Sequence, residues 1–168
     1  MSHYWVAFVE LTVTPFQHAQ LIWGVVPLYF ALILNELTSS KANFRTAVQT
    51  GFSFLWSAVQ WIYPYFTPRG PNGPHVEWNA MLPVNWLVTA LVLVLGLVAL
   101  YSGLRRRYPK YGSFLGRSRF ANYFMIAIFP IQTHYLTWTW DRLAVIAIFA
   151  VPIWLVLDVG LMPVRNRK

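Results

Sequence analysis

The sequence predicts an all-α integral membrane protein with five kinked transmembrane helices, its N-terminus outside and its C-terminus in the cytoplasm. Three observations predict it. The run from Trp86 to Tyr101 carries no charge and is followed at once by Arg105-Arg106-Arg107. The 168 residues are 57% hydrophobic and only 11% charged, whereas soluble domains average about 25% charged residues. Finally, the basic residues cluster in a few short segments beside apolar runs. A spanning helix needs roughly 20 mostly apolar residues, so the chain has room for four or five spans in a single polytopic domain, and a separate soluble domain does not fit.

Five segments meet the requirement: Pro15–Leu37, Phe44–Phe66, Leu82–Leu104, Phe120–Leu136 and Leu143–Met162. Met1–Thr14 lacks a basic start and is interrupted by Glu10, so it does not read as a signal peptide. The first span then serves as an uncleaved insertion signal. That span carries Gln17, His18 and Gln20, and the second carries Gln49, Ser53, Ser57 and Gln60. Such groups, with Asn85 in the third span and Gln132 in the fourth, are polar groups at depth and predict interhelical hydrogen bonding, within the chain or to a partner. The third segment is the cleanest. The fourth is short, and Gln132, Thr133 and His134 dilute its end. Pro27, Pro130 and Pro152 fall inside spans and predict kinks. Between the second and third spans, Thr67–Met81 is rich in proline and glycine and reads as a turn-rich outer cap.

If the spans alternate, eleven of the 13 Lys and Arg residues fall on one side: Lys41, Arg45, Arg105, Arg106, Arg107, Lys110, Arg117, Arg119, Arg165, Arg167 and Lys168. Only Arg69 and Arg142 fall on the other. That asymmetry assigns the first group to the cytoplasm, in a cell membrane of the bacterial inner-membrane kind. Arg105, Arg106, Arg107 and Lys110 are the candidates for holding anionic lipid headgroups. The net charge of +8 is thus a topological signal, and no nucleic-acid-binding motif accompanies it.

With this map, all four histidines lie toward the outer face, together with Glu10, Glu77 and Asp141. His18 and His134 fall at similar depth on different helices, the arrangement that a haem or quinone site in a helix bundle requires. His75 and Glu77 are weaker candidates for a metal ion, since a flexible loop supplies both. The competing reading is that these groups are solvated or hydrogen-bonded at the interface. On the inner side, Glu36 and Asp158 are candidates for a proton or ion relay, because an ionisable group in a span is costly. Many of the outer aromatic residues form an interfacial belt, Tyr65, Trp78, Trp86, Tyr135 and Trp138 among them.

Nucleophile, zinc-protease and nucleotide-binding motifs are absent from the sequence, and no cysteine is present. The expected function is therefore non-catalytic: a transmembrane subunit that packs against other membrane subunits in a larger complex, an energy-transducing one among the options. A haem- or quinone-binding electron-transfer anchor is the second reading, and a small transporter or channel is the third. The leading reading requires no cofactor.

Overall fold

The computed structural model describes residues 2–38, 44–66, 82–105 and 119–165. They form six helices, with no strand among the described residues: α1 (Ser2–Gln17), α2 (Ala19–Thr38), α3 (Phe44–Phe66), α4 (Leu82–Arg105), α5 (Arg119–Gln132) and α6 (Trp140–Arg165). The protein is all-α. One of these helices, over Pro83–Arg105, is long and apolar enough to cross a membrane by itself, with a mean hydropathy of 2.4.

The first predicted span needs correction. Residues 2–17 are helical, and the chain breaks at His18 and turns through 115° between His3–Gln17 and Leu21–Leu34. The sequence left Met1–Thr14 outside the predicted spans, its apolar pattern interrupted by Glu10. In the fold that carboxylate is paired: Arg142 Nη2 lies 2.9 Å from Glu10 Oε2, and the arginine side chain is only 14% exposed. The face of α1 carrying Ala7, Leu11 and Thr14 is buried. His3 reaches Asp141 at 3.8 Å, while Phe8 stacks on Phe149 with ring centroids 4.2 Å apart. Residues 3 and 10 lie about 10 Å apart along a helix axis, yet they meet the adjacent residues Asp141 and Arg142. α1 therefore crosses the start of α6 obliquely.

α3 and α4 form an antiparallel hairpin with close backbone approach. A Cβ at Gly51 would lie 2.7 Å from the Leu100 nitrogen and 3.0 Å from the Gly96 oxygen. At the other end of the pair, the rings of Tyr65 and Trp86 are 4.8 Å apart. α2 packs on α3, where the Trp56 indole donates to the Gly24 carbonyl at 2.9 Å.

α5 is the centre of the bundle. Its Ala121, Met125, Ile126 and Phe129 join a core with Val25, Leu28, Trp61 and Val92 from α2, α3 and α4. Its Tyr123, Ala127 and Ile131 join a second core with Leu11 from α1 and Val145 and Ile146 from α6. The sequence extended this helix to Leu136, but it stops at Gln132, and residues 133–136 form a turn. Its 14 residues span about 21 Å, less than the roughly 30 Å hydrocarbon core of a bilayer. Arg105 ends α4 and is exposed, while Arg106, Arg107 and Lys110 lie outside the described residues.

The hairpin yields a test. Gly51→Ala drives a methyl group into backbone that cannot rotate away, and should destabilise the protein by about 1–3 kcal/mol. Gly160→Ala meets nothing within 4 Å and should be neutral, or stabilising by up to about 1 kcal/mol. Unfolding of both variants in mild detergent makes the comparison, and equal stability of the two would remove the close-packing account.

Candidate functional site: a polar cluster at one end of the bundle

The ends of α3, α4 and α5 converge where the charge pattern places the outer face. The cluster begins with the way α5 stops. His134 has a φ of 64° and is the one non-glycine residue with positive φ among those described. Its N–H bonds to the Ile131 carbonyl at 3.1 Å, and the Tyr135 N–H bonds to the Pro130 carbonyl at 3.0 Å. These two bonds are the paired closure of a Schellman cap, in which the left-handed position usually holds glycine. Histidine there costs roughly 1–2 kcal/mol of backbone strain, so its side chain has to be held.

Its partners come from two other helices. His134 Nε2 lies 2.6 Å from the Tyr65 hydroxyl on α3, and its Nδ1 lies 3.5 Å from the Asn85 amide nitrogen on α4. Asn85 is buried and also accepts from the Trp138 indole at Oδ1. This last contact sets the others. An indole N–H can only donate, so the oxygen of the Asn85 amide faces Trp138 and its NH₂ faces His134. His134 Nδ1 is then the acceptor, and Nε2–H donates to Tyr65. The tautomer is assigned from heavy-atom geometry.

Below this layer, Thr89 donates to the Asn85 carbonyl at 2.8 Å and lies 3.4 Å from Gln132 Oε1. Gln132 Nε2 is buried without a partner, as is the Trp61 indole nitrogen. His18, at the α1–α2 break, packs its ring on Tyr135 at 4.2 Å.

The two histidines singled out by sequence thus reach the same end of the bundle, engaged with different groups. Iron ligation by His134 would require displacing Tyr65 from one nitrogen or Asn85 from the other. Among the described residues, no group of three or more His, Cys, Asp or Glu is placed to hold a metal ion. His75 and Glu77 lie outside the described residues. Glu36 and Asp158 fall on α2 and α6, with side chains outside the description. The sequence flagged Asn85 and Gln132 as polar groups at depth, and Tyr65 and Trp138 as belt aromatics. It did not join them, because their contacts bridge 43 to 69 residues of chain. No protein-family model, curated protein or solved structure matches the chain.

The cap makes a sharp prediction. His134→Ala keeps the backbone strain and loses the side-chain bonds, whereas His134→Gly loses the bonds but relieves the strain. The alanine variant should be the less stable by about 1 kcal/mol. Chemical denaturation of both reports the difference, and an alanine variant as stable as the glycine one would refute the strained-cap assignment.

Proposed function

We propose that the protein is a five-span membrane subunit of the bacterial inner-membrane kind, non-catalytic, that docks a transmembrane partner on an aromatic face formed by α2 and α3. The observation that carries this reading is a difference between exposed apolar surfaces. On α4 the exposed positions are largely aliphatic: Leu87, Leu91, Val94, Leu97 and Val98. On α6 they include Ile148, Val151, Leu155, Val156 and Val159. Such surfaces suit lipid chains.

The α2–α3 side differs. Trp23 is 80% exposed and Phe30 62%, two turns apart on one face of α2. Phe52, Val59, Tyr63 and Phe66 are exposed along α3. Half-buried Trp56 lies at the seam between the two helices, with its ring 6.3 Å from Phe52. Large aromatic residues are the side chains most enriched at the energetic centres of protein interfaces. The inverted polarity of the bundle supports the membrane setting. Thr50, Ser53, Ser57, Asn122, Gln132 and Thr133 are buried, and Ser53 and Ser57 bond back to their own helix at 3.0 and 2.9 Å. Five spans also account for the cation distribution, and Arg105 through Lys110 would then meet anionic headgroups.

Two measurements test the reading. The chain has no cysteine, so single substitutions can be labelled cleanly. A membrane-impermeant maleimide should label Asn72→Cys only from outside and Lys110→Cys only from inside, and labelling of both from one side would refute the topology. For the subunit role, native mass spectrometry in mild detergent should find a partner complex. Trp23→Ala combined with Phe30→Ala should weaken it more than about tenfold. Leu87→Ala with Leu91→Ala should leave it intact. A protein that is stable and solely monomeric refutes the subunit role.

A further inference from the structure

A second feature lies away from both the polar cluster and the aromatic face. α1, α2, α5 and α6 line a partly open cavity of about 130 Å³. Its walls include Leu11, Leu32, Ile126, Ala127, Val145 and Ile146, and half-buried Phe8, Tyr29 and Ile153 also line it. It exists because α1 crosses the bundle obliquely and does not fill the space between α2 and α6. A cavity of about 150 Å³ with such walls stays dry and accepts a benzene-sized apolar guest.

We infer that this cavity holds a segment of an acyl chain from a bilayer phospholipid. Two of its three hydroxyl-bearing side chains are already engaged by protein. Thr12 donates to the Phe8 carbonyl at 2.9 Å, and Tyr123 donates to the Ile146 carbonyl at 3.0 Å. The third, Tyr29, packs its ring beside Phe16 at 5.7 Å. The walls are therefore overwhelmingly hydrocarbon, and a charged or strongly polar guest would lose its hydration without compensation.

Depth fixes the source of the guest. Lining residues Val145 and Ile153 lie about 6 and 18 Å along α6 from Asp141. In a hydrocarbon layer roughly 30 Å thick, that range runs from the outer half to just past the midplane, where lipid chains are the surrounding solvent. Exposed Ile33 on α2 and Val156 on α6 keep the neighbouring surface apolar. The inference rests on the membrane-embedded part of the proposed function and not on the docking partner.

The test uses the full-length protein in nanodiscs of phosphatidylcholine carrying a diazirine midway along one acyl chain. After photolysis, adducts are mapped by mass spectrometry. Adducts are expected on Tyr29, Ile126 or Ile153 as well as on the open α4 face at Leu87 and Leu91. Ala127→Leu fills part of the cavity. It removes room for about two methylenes of chain and should lower cavity adducts about tenfold, leaving α4 adducts unchanged. Thr12→Leu is the second variant should Ala127→Leu fail to fold. Labelled α4 with an unlabelled cavity overturns this inference alone. So do cavity adducts that persist undiminished in a folded cavity-filling variant. An α4 face without adducts overturns the membrane reading itself.

Discussion

The structure depends on the burial of α5. It is the shortest of the described helices, yet nearly every residue from Ala121 to Thr133 is buried, with Phe124 the exposed exception. Its two faces feed two different cores, so it holds α2, α3 and α4 to one side and α1 and α6 to the other. A helix surrounded by protein is released from the rules that govern a lipid-facing one. It need not be as long as a hydrocarbon layer, and its Gln132 accepts from Thr89 of α4, while the buried Asn122 amide has no hydrogen-bond partner among the described residues. The close packing that surrounds it is tight. A Cβ at Gly24 would fall 2.4 Å from the ring of Phe129, so α2 can approach α5 only where a side chain is missing.

The way α5 ends follows from this position. A central helix must hand the chain to a peripheral one within a few residues, and the Schellman turn at His134 does so in residues 133–139. Glycine would make the same turn without strain. Histidine makes it with a ring that joins α3 and α4 to the turn, and so couples the start of α6 to the α3–α4 hairpin. The donor-only indole of Trp138 orients Asn85, and Asn85 orients His134. The order of the cluster therefore runs outward from the loop to the helices. Ser53 and Ser57, which bond to carbonyls of their own helix, carry no comparable long-range constraint.

How much of this was legible in the sequence depended on the range of the interaction. The helix boundaries at Phe44, Phe66 and Leu82 follow from composition and the Pro/Gly-rich stretch between them, which are local signals. The same signals misjudged α1 and α5. Glu10 looks like a break in an apolar segment until Arg142, 132 residues later, is brought beside it. Gln132 and His134 look like dilution of a span until Thr89 and Tyr65 are placed opposite. In each case a polar residue was scored against lipid or water when its real surroundings are protein. The proximity of His18 and His134 to one end of the bundle was readable from depth alone. Their separate partners, Tyr135 for one and Tyr65 with Asn85 for the other, depend on helix rotation, and no local pattern encodes that.

The Glu10–Arg142 pair also explains why α1 lies where it does. A partly buried guanidinium needs more than one acceptor, and Arg142 has three: the Thr137 carbonyl at 2.6 Å, the Thr137 hydroxyl at 3.0 Å and Glu10 at 2.9 Å. Two of these lie in the turn after α5, and only the third comes from α1. Removing the carboxylate would leave a guanidinium that is only 14% exposed without its charged acceptor, which costs more than the pair itself contributes. The pair therefore acts as a register constraint that pins the middle of α1 to the start of α6. With that point fixed and the 115° turn at His18 fixed, α1 has one remaining path, across the bundle and over the gap between α2 and α6. The cavity beneath it is a geometric consequence of these two constraints, the ion pair and the bend.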